Sequence, residues 1–167
     1  MREVWLASDA DILSFMDVDL STGLDAFVPL INALTEEGYD LAVGSRNLSA
    51  SRIVRSRGRR ILTWVYNRLL RLFLGVRFSD AQCGFKALTR EVALLLLPRI
   101  EDNRWFFDTE LLVLAEKSGL RIKDVPVTWL EDKDSRVNVM GTVIEDLRGI
   151  WRLKRTSPWD SIDPEVS

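Results

Sequence analysis

Asp17 and Asp19 stand one residue apart at the end of the short apolar segment ILSFM, and no basic residue lies between Arg2 and Arg46. Two carboxylates this close repel unless a cation or hydrogen bonds absorb their charge. A hard divalent ion, Mg2+ or Mn2+, is one relief, and such an ion would in turn hold a diphosphate. The other is that one aspartate caps the helix beginning near Leu24 while its neighbour is solvated. Aspartates at this spacing do not by themselves decide between the two.

A second concentration of chemistry lies downstream. From Leu41 to Ser79 there is no acidic residue, while Arg46, Arg52, Arg55, Arg57, Arg59, Arg60, Arg68, Arg71 and Arg77 fall in that window, with no lysine. Guanidinium groups recognise phosphate through a planar fork and tolerate partial burial better than ammonium groups do. The patch therefore calls for an anionic partner: phosphate groups, acidic lipid or nucleic acid. Within it, RRILTWVYNRLLRLFLG places Ile61, Leu62, Val65, Leu69, Leu72 and Phe73 on or near one helical face, widened by Trp64, Tyr66, Leu70 and Leu74. A helix this apolar, studded with arginine, fits a membrane interface; a core helix with a solvated edge is the plainer alternative. Nucleic acid fits poorly, because the loop lacks interleaved aromatics and no recognition motif is present.

The elements that must position these residues alternate in type. Residues 2–8 read as the end of a helix and 12–17 as a buried strand. Residues 24–37 have helical spacing and stop at Gly38, and 39–43 form a second strand. After the arginine loop, 59–74 form a helix closed by Gly75, and 82–88 a short strand. Thr89 caps a helix running to Leu97, 107–117 form a helix ended by Gly119, 121–129 a strand, and 139–154 the last helix. The tail from Thr156 reads as disordered. Such alternation predicts a single α/β domain with a mostly parallel sheet. Ligands in such sheets sit beyond the carboxyl ends of the strands, where Asp17 and Asp19 are expected.

Composition narrows the chemistry. The 167 residues carry 47% apolar and 29% charged residues and a net charge of -2, an ordinary globular balance. There is no histidine, which removes His-activated nucleophiles and His-ligated zinc. The single cysteine, Cys83, excludes an internal disulfide. No apolar run reaches the roughly 18 residues of a membrane span.

The segments MDVDLST (16–22), AVGSR (42–46), DAQCGFKALTR (80–90), RWFFDTELLVLAEKSG (104–119) and VPVTWLED (125–132) together resemble glycosyltransferase family 2. The resemblance is to the branch that moves a sugar from a nucleotide sugar to a polyprenyl or dolichyl phosphate. It covers roughly residues 1–155 and is strongest to the dolichyl-phosphate glucosyltransferases, then to the mannose synthases. It implies part of a GT-A, Rossmann-like fold and inverting transfer of a sugar, glucose by resemblance. By position, Asp17 and Asp19 match the metal-binding pair for Mg2+ or Mn2+. Arg46 matches the arginine near the phosphates, and Arg52, Arg55 and Arg57 lie in the loop that grips the lipid phosphate. Asp80 and Gln82 would sit beside the donor sugar. Asp108 and Glu110 match the acidic pair facing the acceptor side; complementing a helix N-terminus would also explain them. Residues 57–75 would meet an anionic membrane surface, placing the protein peripherally on the cytoplasmic face.

One departure is large. The family's first βαβ unit, with its nucleotide-recognition residues, has no counterpart in these 167 residues. The chain alone is therefore expected to bind a nucleotide sugar weakly. Two other functions fit: a membrane-surface module without catalysis, and a transferase of the same fold with a soluble acceptor.

Overall fold

In the computed structural model, the structure describes residues 1–19, 21–54, 56–130 and 139–163. Among the described residues six α-helices and six strands follow one another: α1 (Arg2–Leu6), β1 (Ile12–Met16), α2 (Phe27–Thr35), β2 (Leu41–Ser45), β3 (Arg52–Val54), α3 (Arg57–Leu74), β4 (Phe85–Thr89), α4 (Arg90–Leu96), α5 (Phe107–Lys117), β5 (Ile122–Pro126), β6 (Thr128–Leu130) and α6 (Val139–Thr156).

The main sheet has the order β1-β4-β2-β5. β2 and β5 run parallel, with Leu41 opposite Ile122 and Ser45 opposite Pro126. β4 runs antiparallel to both of its neighbours. Three of the four strands thus point one way and β4 is reversed. That reversal matters for the site. β1, β2 and β5 all end at one edge of the sheet, and β4 begins there, because Met16, the last residue of β1, faces Phe85, the first of β4. Residues just after Met16, Ser45 and Pro126, and just before Phe85, are therefore delivered to the same place.

A small parallel pair, β3 with β6, closes over that edge. The segment after Asp19 is stitched to it: the Gly23 amide donates to Thr128 O at 2.8 Å and the Leu130 amide to Ser21 O at 2.9 Å.

Leu41, Ala42 and Val43 are buried on β2, and Leu30, Ala33 and Leu34 of α2 are buried in the same core. α5 is buried along its whole run from Leu111 to Ala115. Each such leucine contributes roughly 1.5–3 kcal/mol by leaving water. Thr89 caps α4, its hydroxyl accepting from the Val92 amide, as its position before the helix predicts. Gly75 ends α3 with φ 65°, a left-handed cap that a side chain would strain.

Two expectations meet the structure here. α3 leaves its most apolar face exposed, against the alternative of a core helix with a solvated edge. Thr63, Tyr66, Asn67, Leu70 and Leu74 point inward, whereas Ile61, Trp64, Leu72 and Phe73 are exposed. Specific polar contacts decide this: Asn67 accepts from the Ala81 amide at 3.1 Å, and the Tyr66 hydroxyl meets Thr109 Oγ1 at 2.7 Å. Beyond α6, residues 157–163 take up defined structure where a disordered tail was expected, and 164–167 lie outside the described residues. Pro158–Ser161 form a 3₁₀ turn, Ile162 is buried and Trp159 packs on the core.

Candidate active site

The sheet edge opens into a cleft of about 460 Å³. Asp17 and Asp19 line it from the end of β1, Arg46 from the end of β2, Gln82 and Gly84 from the turn before β4, and Trp129 from β6. Leu62, Thr63 and Tyr66 of α3, Trp105 and Asp108 at the start of α5, and Thr142, Val143 and Asp146 of α6 complete the wall.

The two aspartates share one cleft, as the sequence spacing predicts. Asp19 Oδ1 accepts from the Ser21 amide at 2.9 Å, a local turn that fixes the loop. Neither aspartate caps the following helix: the 3₁₀ turn at Leu24–Ala26 has Gly23 at its N-cap, with no side-chain bond. The capping alternative is therefore not what forms. Asp17 faces the open cleft, yet its carboxyl is raised above the usual range, first by partial burial and then by repulsion from Asp19 and Asp108; Lys86 and Arg46 oppose the rise. Uncompensated negative charge gathers here, and cation binding would relieve it. Among the described residues no group of three or more His, Cys, Asp or Glu forms a metal cluster. Two carboxylates suit Mg2+ or Mn2+, which take their remaining oxygens from water and phosphate.

Gly84 is explained by close approach. A Cβ there would stand 1.9 Å from Asp17 Oδ2. Only glycine lets the carboxylate lie against this turn, while the Asp17 amide donates to Gly84 O at 2.8 Å.

Arg46 and Asp80 are held by each other. Arg46 Nε donates to Asp80 Oδ2 at 2.7 Å and Nη2 to Oδ1 at 2.8 Å, a forked pair that leaves Nη1 out. The Arg46 and Gln82 amides also donate to Asp80. Asp80 is wholly buried. Burial alone would push its carboxyl up, but the Arg46 guanidinium outweighs it and holds the group below the usual range. Asp80, expected beside the donor sugar, instead lies behind the wall as the counter-charge of Arg46.

The acidic pair on α5 is split. Asp108 lines the cleft and pairs with Lys86 Nζ at 3.2 Å. Glu110 faces the other way and is fully buried. It accepts from Arg152 Nη1 and Nη2 at 3.0 and 2.7 Å and from the amides of Glu101 and Asp102. One helical residue pair two apart cannot share a face, and the expected joint role of Asp108 and Glu110 gives way to one cleft residue and one structural residue.

Of the loop arginines, Arg52 is exposed on β3, Arg55 lies outside the described residues, and the Arg57 side chain does too. Beside them a groove runs along Arg46–Ser49, Ser51, Ile53, Arg60, Ile61 and Trp64. Two groups escaped the sequence reading. Lys86 is fully buried, donates to Cys83 O at 2.6 Å and stands 5.4 Å from the Phe15 ring centre. Asp146 is buried on α6. Lys86 lies inside the quoted DAQCGFKALTR motif, but only the fold shows that its charge points under the cleft. Asp146 had no signal beyond being an acid on an amphipathic helix. Cys83 is buried and its thiol is pushed up to about 11 by burial, so it is unreactive.

Known proteins resemble this chain in sequence and fold. The chain is 38% identical over 157 residues to glycosyltransferase AglD of Haloferax volcanii, covering 92% of this chain and 25% of that protein. It is 34% identical to a dolichyl-phosphate beta-glucosyltransferase of Trichomonas vaginalis (96% and 52% covered) and 33% identical to that of Mus musculus (90% and 50%). Over most of its length the chain is homologous to dolichyl-phosphate beta-glucosyltransferases and to AglD. No family model matches. Among solved structures, glucosyl-3-phosphoglycerate synthase from Mycobacterium tuberculosis in complex with UDP superposes with a TM-score of 0.62 at 23% identity, over 89% of this chain and 52% of that one. That likeness establishes the GT-A fold for this chain. The chain spans about half the length of the dolichyl-phosphate glucosyltransferases it matches, and a quarter of AglD.

Proposed function

We propose that this glycosyltransferase chain carries the metal and acceptor side of an inverting enzyme. The enzyme transfers a hexose, glucose by likeness to its relatives, from a nucleoside-diphosphate sugar to a polyprenyl or dolichyl phosphate at a membrane surface. The observation that carries the proposal is one cleft lined by Asp17, Asp19 and Arg46 and bordered by α3, whose outer face is apolar and arginine-bearing.

Asp17 and Asp19 would hold Mg2+ or Mn2+; a structure of glucosyl-3-phosphoglycerate synthase contains Mn2+ with UDP-glucose. When bound, the ion supplies charge to a diphosphate leaving group. The protein's own residues do the rest. Arg46, oriented by Asp80 and lining the cleft, keeps Nη1 outside that pair for a phosphate oxygen. Lys86 and Asp108 set the charge of the floor. An acceptor phosphate oxygen, ionised near neutral pH, attacks the anomeric carbon while the bond to the diphosphate breaks on the opposite face. No histidine base is needed. Positioning is the main catalytic contribution.

Acceptor binding falls to the groove beside α3, with Arg60 on its wall and Arg52, Arg55 and Arg57 in the adjoining segment. Residues 57–75 would lie on the cytoplasmic face of a membrane, with Ile61, Trp64, Leu72 and Phe73 entering the interface. No helix among the described residues is long and apolar enough to cross a membrane.

The test uses the full-length protein, UDP-glucose, Mn2+ and liposomes containing dolichyl phosphate. Transfer of glucose to lipid is expected, and it should disappear in Asp19→Ala. Trp64→Glu with Leu72→Glu should release the protein from liposomes. Asp19→Ala with unchanged transfer would sink the metal assignment. Transfer to a soluble phosphorylated acceptor without any liposome dependence would favour the soluble-acceptor reading.

A further inference from the structure

The cleft wall built by α3 and α6 carries groups that the metal and phosphate roles do not use. Asp146 is 4% exposed and lines the cleft. Its Oδ2 accepts from Gln82 Nε2 at 3.1 Å. Its Oδ1 is buried and makes no well-formed hydrogen bond to the described residues. A buried carboxylate oxygen left this way is costly, so a donor from a ligand is the natural partner. Gln82 is itself fixed: its backbone amide donates to Asp80 at 3.3 Å and its side-chain amide to Asp146, which leaves the side-chain carbonyl as an acceptor. Trp105, 56% exposed, lines the same cleft.

A planar carboxylate, a planar amide and an exposed indole ring form a wall suited to one kind of ligand. It has hydroxyl groups along its edge and an apolar face. Phosphate is disfavoured here, because the Asp146 carboxylate would repel it and Gln82 already commits one of its two amide hydrogens to Asp146.

We propose that Asp146 binds a hydroxyl of the transferred hexose through Oδ1, with Gln82 beside it, and so helps decide which sugar is accepted. The inference rests on the donor site proposed above. It adds a residue from α6, more than 120 positions from the metal-binding aspartates, and assigns it to the sugar rather than to the phosphates.

Ionisation supports the placement. Burial pushes the Asp146 carboxyl up to about 7, aided by Asp102 and Glu145, while the hydrogen bond from Gln82 and the nearby Tyr66 hydroxyl oppose the rise. Tyr66 is the titratable group facing it from α3, Asp102 from the segment before α5, and Glu145 from its own helix. Hexose binding, which needs the accepting carboxylate, should therefore tighten as pH rises through about 7.

The experiment compares Asp146→Ala and Asp146→Asn with wild type in the full-length protein. It measures KM for UDP-glucose, KM for dolichyl phosphate, and the affinity for UDP, which lacks the hexose. Expected is a rise of roughly ten- to hundredfold in KM for UDP-glucose in Asp146→Ala. UDP affinity and KM for dolichyl phosphate should not move. Among UDP-deoxyglucoses, the one lacking the bound hydroxyl should be used equally well by wild type and variant. The pH dependence of KM near 7 should vanish in Asp146→Asn. An equal loss of UDP affinity, or an unchanged KM for UDP-glucose with wild-type transfer intact, overturns this inference alone. Should Asp146→Ala fail to fold, the isosteric Asp146→Asn decides by the same readings. Wild type that transfers no hexose from any nucleotide donor overturns the parent proposal, and this one with it.

Discussion

Replacing Asp80 by alanine separates two roles for the DAQCGFKALTR motif. The carboxylate is wholly buried and accepts from Arg46 Nε, Nη2 and amide nitrogen and from the Gln82 amide. The Arg46 side chain is only 9% exposed, so water cannot replace the lost partner. Breaking a buried pair by removing one member costs about 3–5 kcal/mol, because a charge is left uncompensated. In a domain of this size each kcal/mol lowers Tm by roughly 2–4 °C, giving a fall of about 6–20 °C. Thermal and urea unfolding followed by circular dichroism measure it, with transfer assayed well below the transition. Replacing both members with apolar residues, as in Asp80→Leu with Arg46→Met, should recover a large part of the lost stability. Were Asp80→Ala to lose less than about 1 kcal/mol while abolishing transfer, the carboxylate would act on substrate and the counter-charge argument would be wrong.

Three further outcomes follow from the geometry. Gly84→Ala should turn the Asp17 carboxylate away, since the new methyl would meet it at 1.9 Å; transfer should fall by roughly 10²-fold with little change in Tm, and normal transfer would refute the close-packing account. Glu110→Ala should behave as a stability variant, lowering Tm while leaving KM for donor and acceptor unchanged, because its bonds go to Arg152 and two backbone amides; a changed KM would return Glu110 to the site. Asp146→Asn should stabilise the protein at alkaline pH. The folded carboxyl titrates near 7, above its ordinary value of 3.8, so the native state binds the proton more tightly and wild type loses stability as pH rises from about 4 to 7. With relaxation and water entry around the charged form reducing the full effect, the variant should gain roughly 1–2 kcal/mol at pH 8 and almost nothing at pH 4, read from melts at both.

The local signals were legible because they depend on neighbours in sequence. Asp17-Val18-Asp19 after an apolar strand, Gly75 after α3 and Thr89 before α4 each do in the structure what short-range chemistry requires. α3 was legible as a helix but not in its orientation. Which side faces inward depends on Ala81 and Thr109, residues 14 and 43 positions from their partners on the helix. Arg46 and Asp80 looked like two ligand contacts because each was read alone. Their 34-residue separation hides the pairing that consumes most of their polarity.

By itself the sequence determined most of the element types, though not β3 inside the arginine loop or the turn at Pro158–Ser161, together with the α/β class, the anionic and cationic concentrations and a motif order resembling that of sugar transferases. Those properties are set by side-chain periodicity, turn chemistry and residues close together in the chain. Only the tertiary structure decided which charges remain free for a ligand. Reversing β4 brought the turn at Gly84 under Asp17 and buried Lys86 below the cleft, helical spacing on α5 turned Glu110 away toward Arg152, and α6 brought Asp146 to the cleft wall. The physical reason is that a charge is available or spent according to what lies a few ångströms from it, and that distance is not written in residue order.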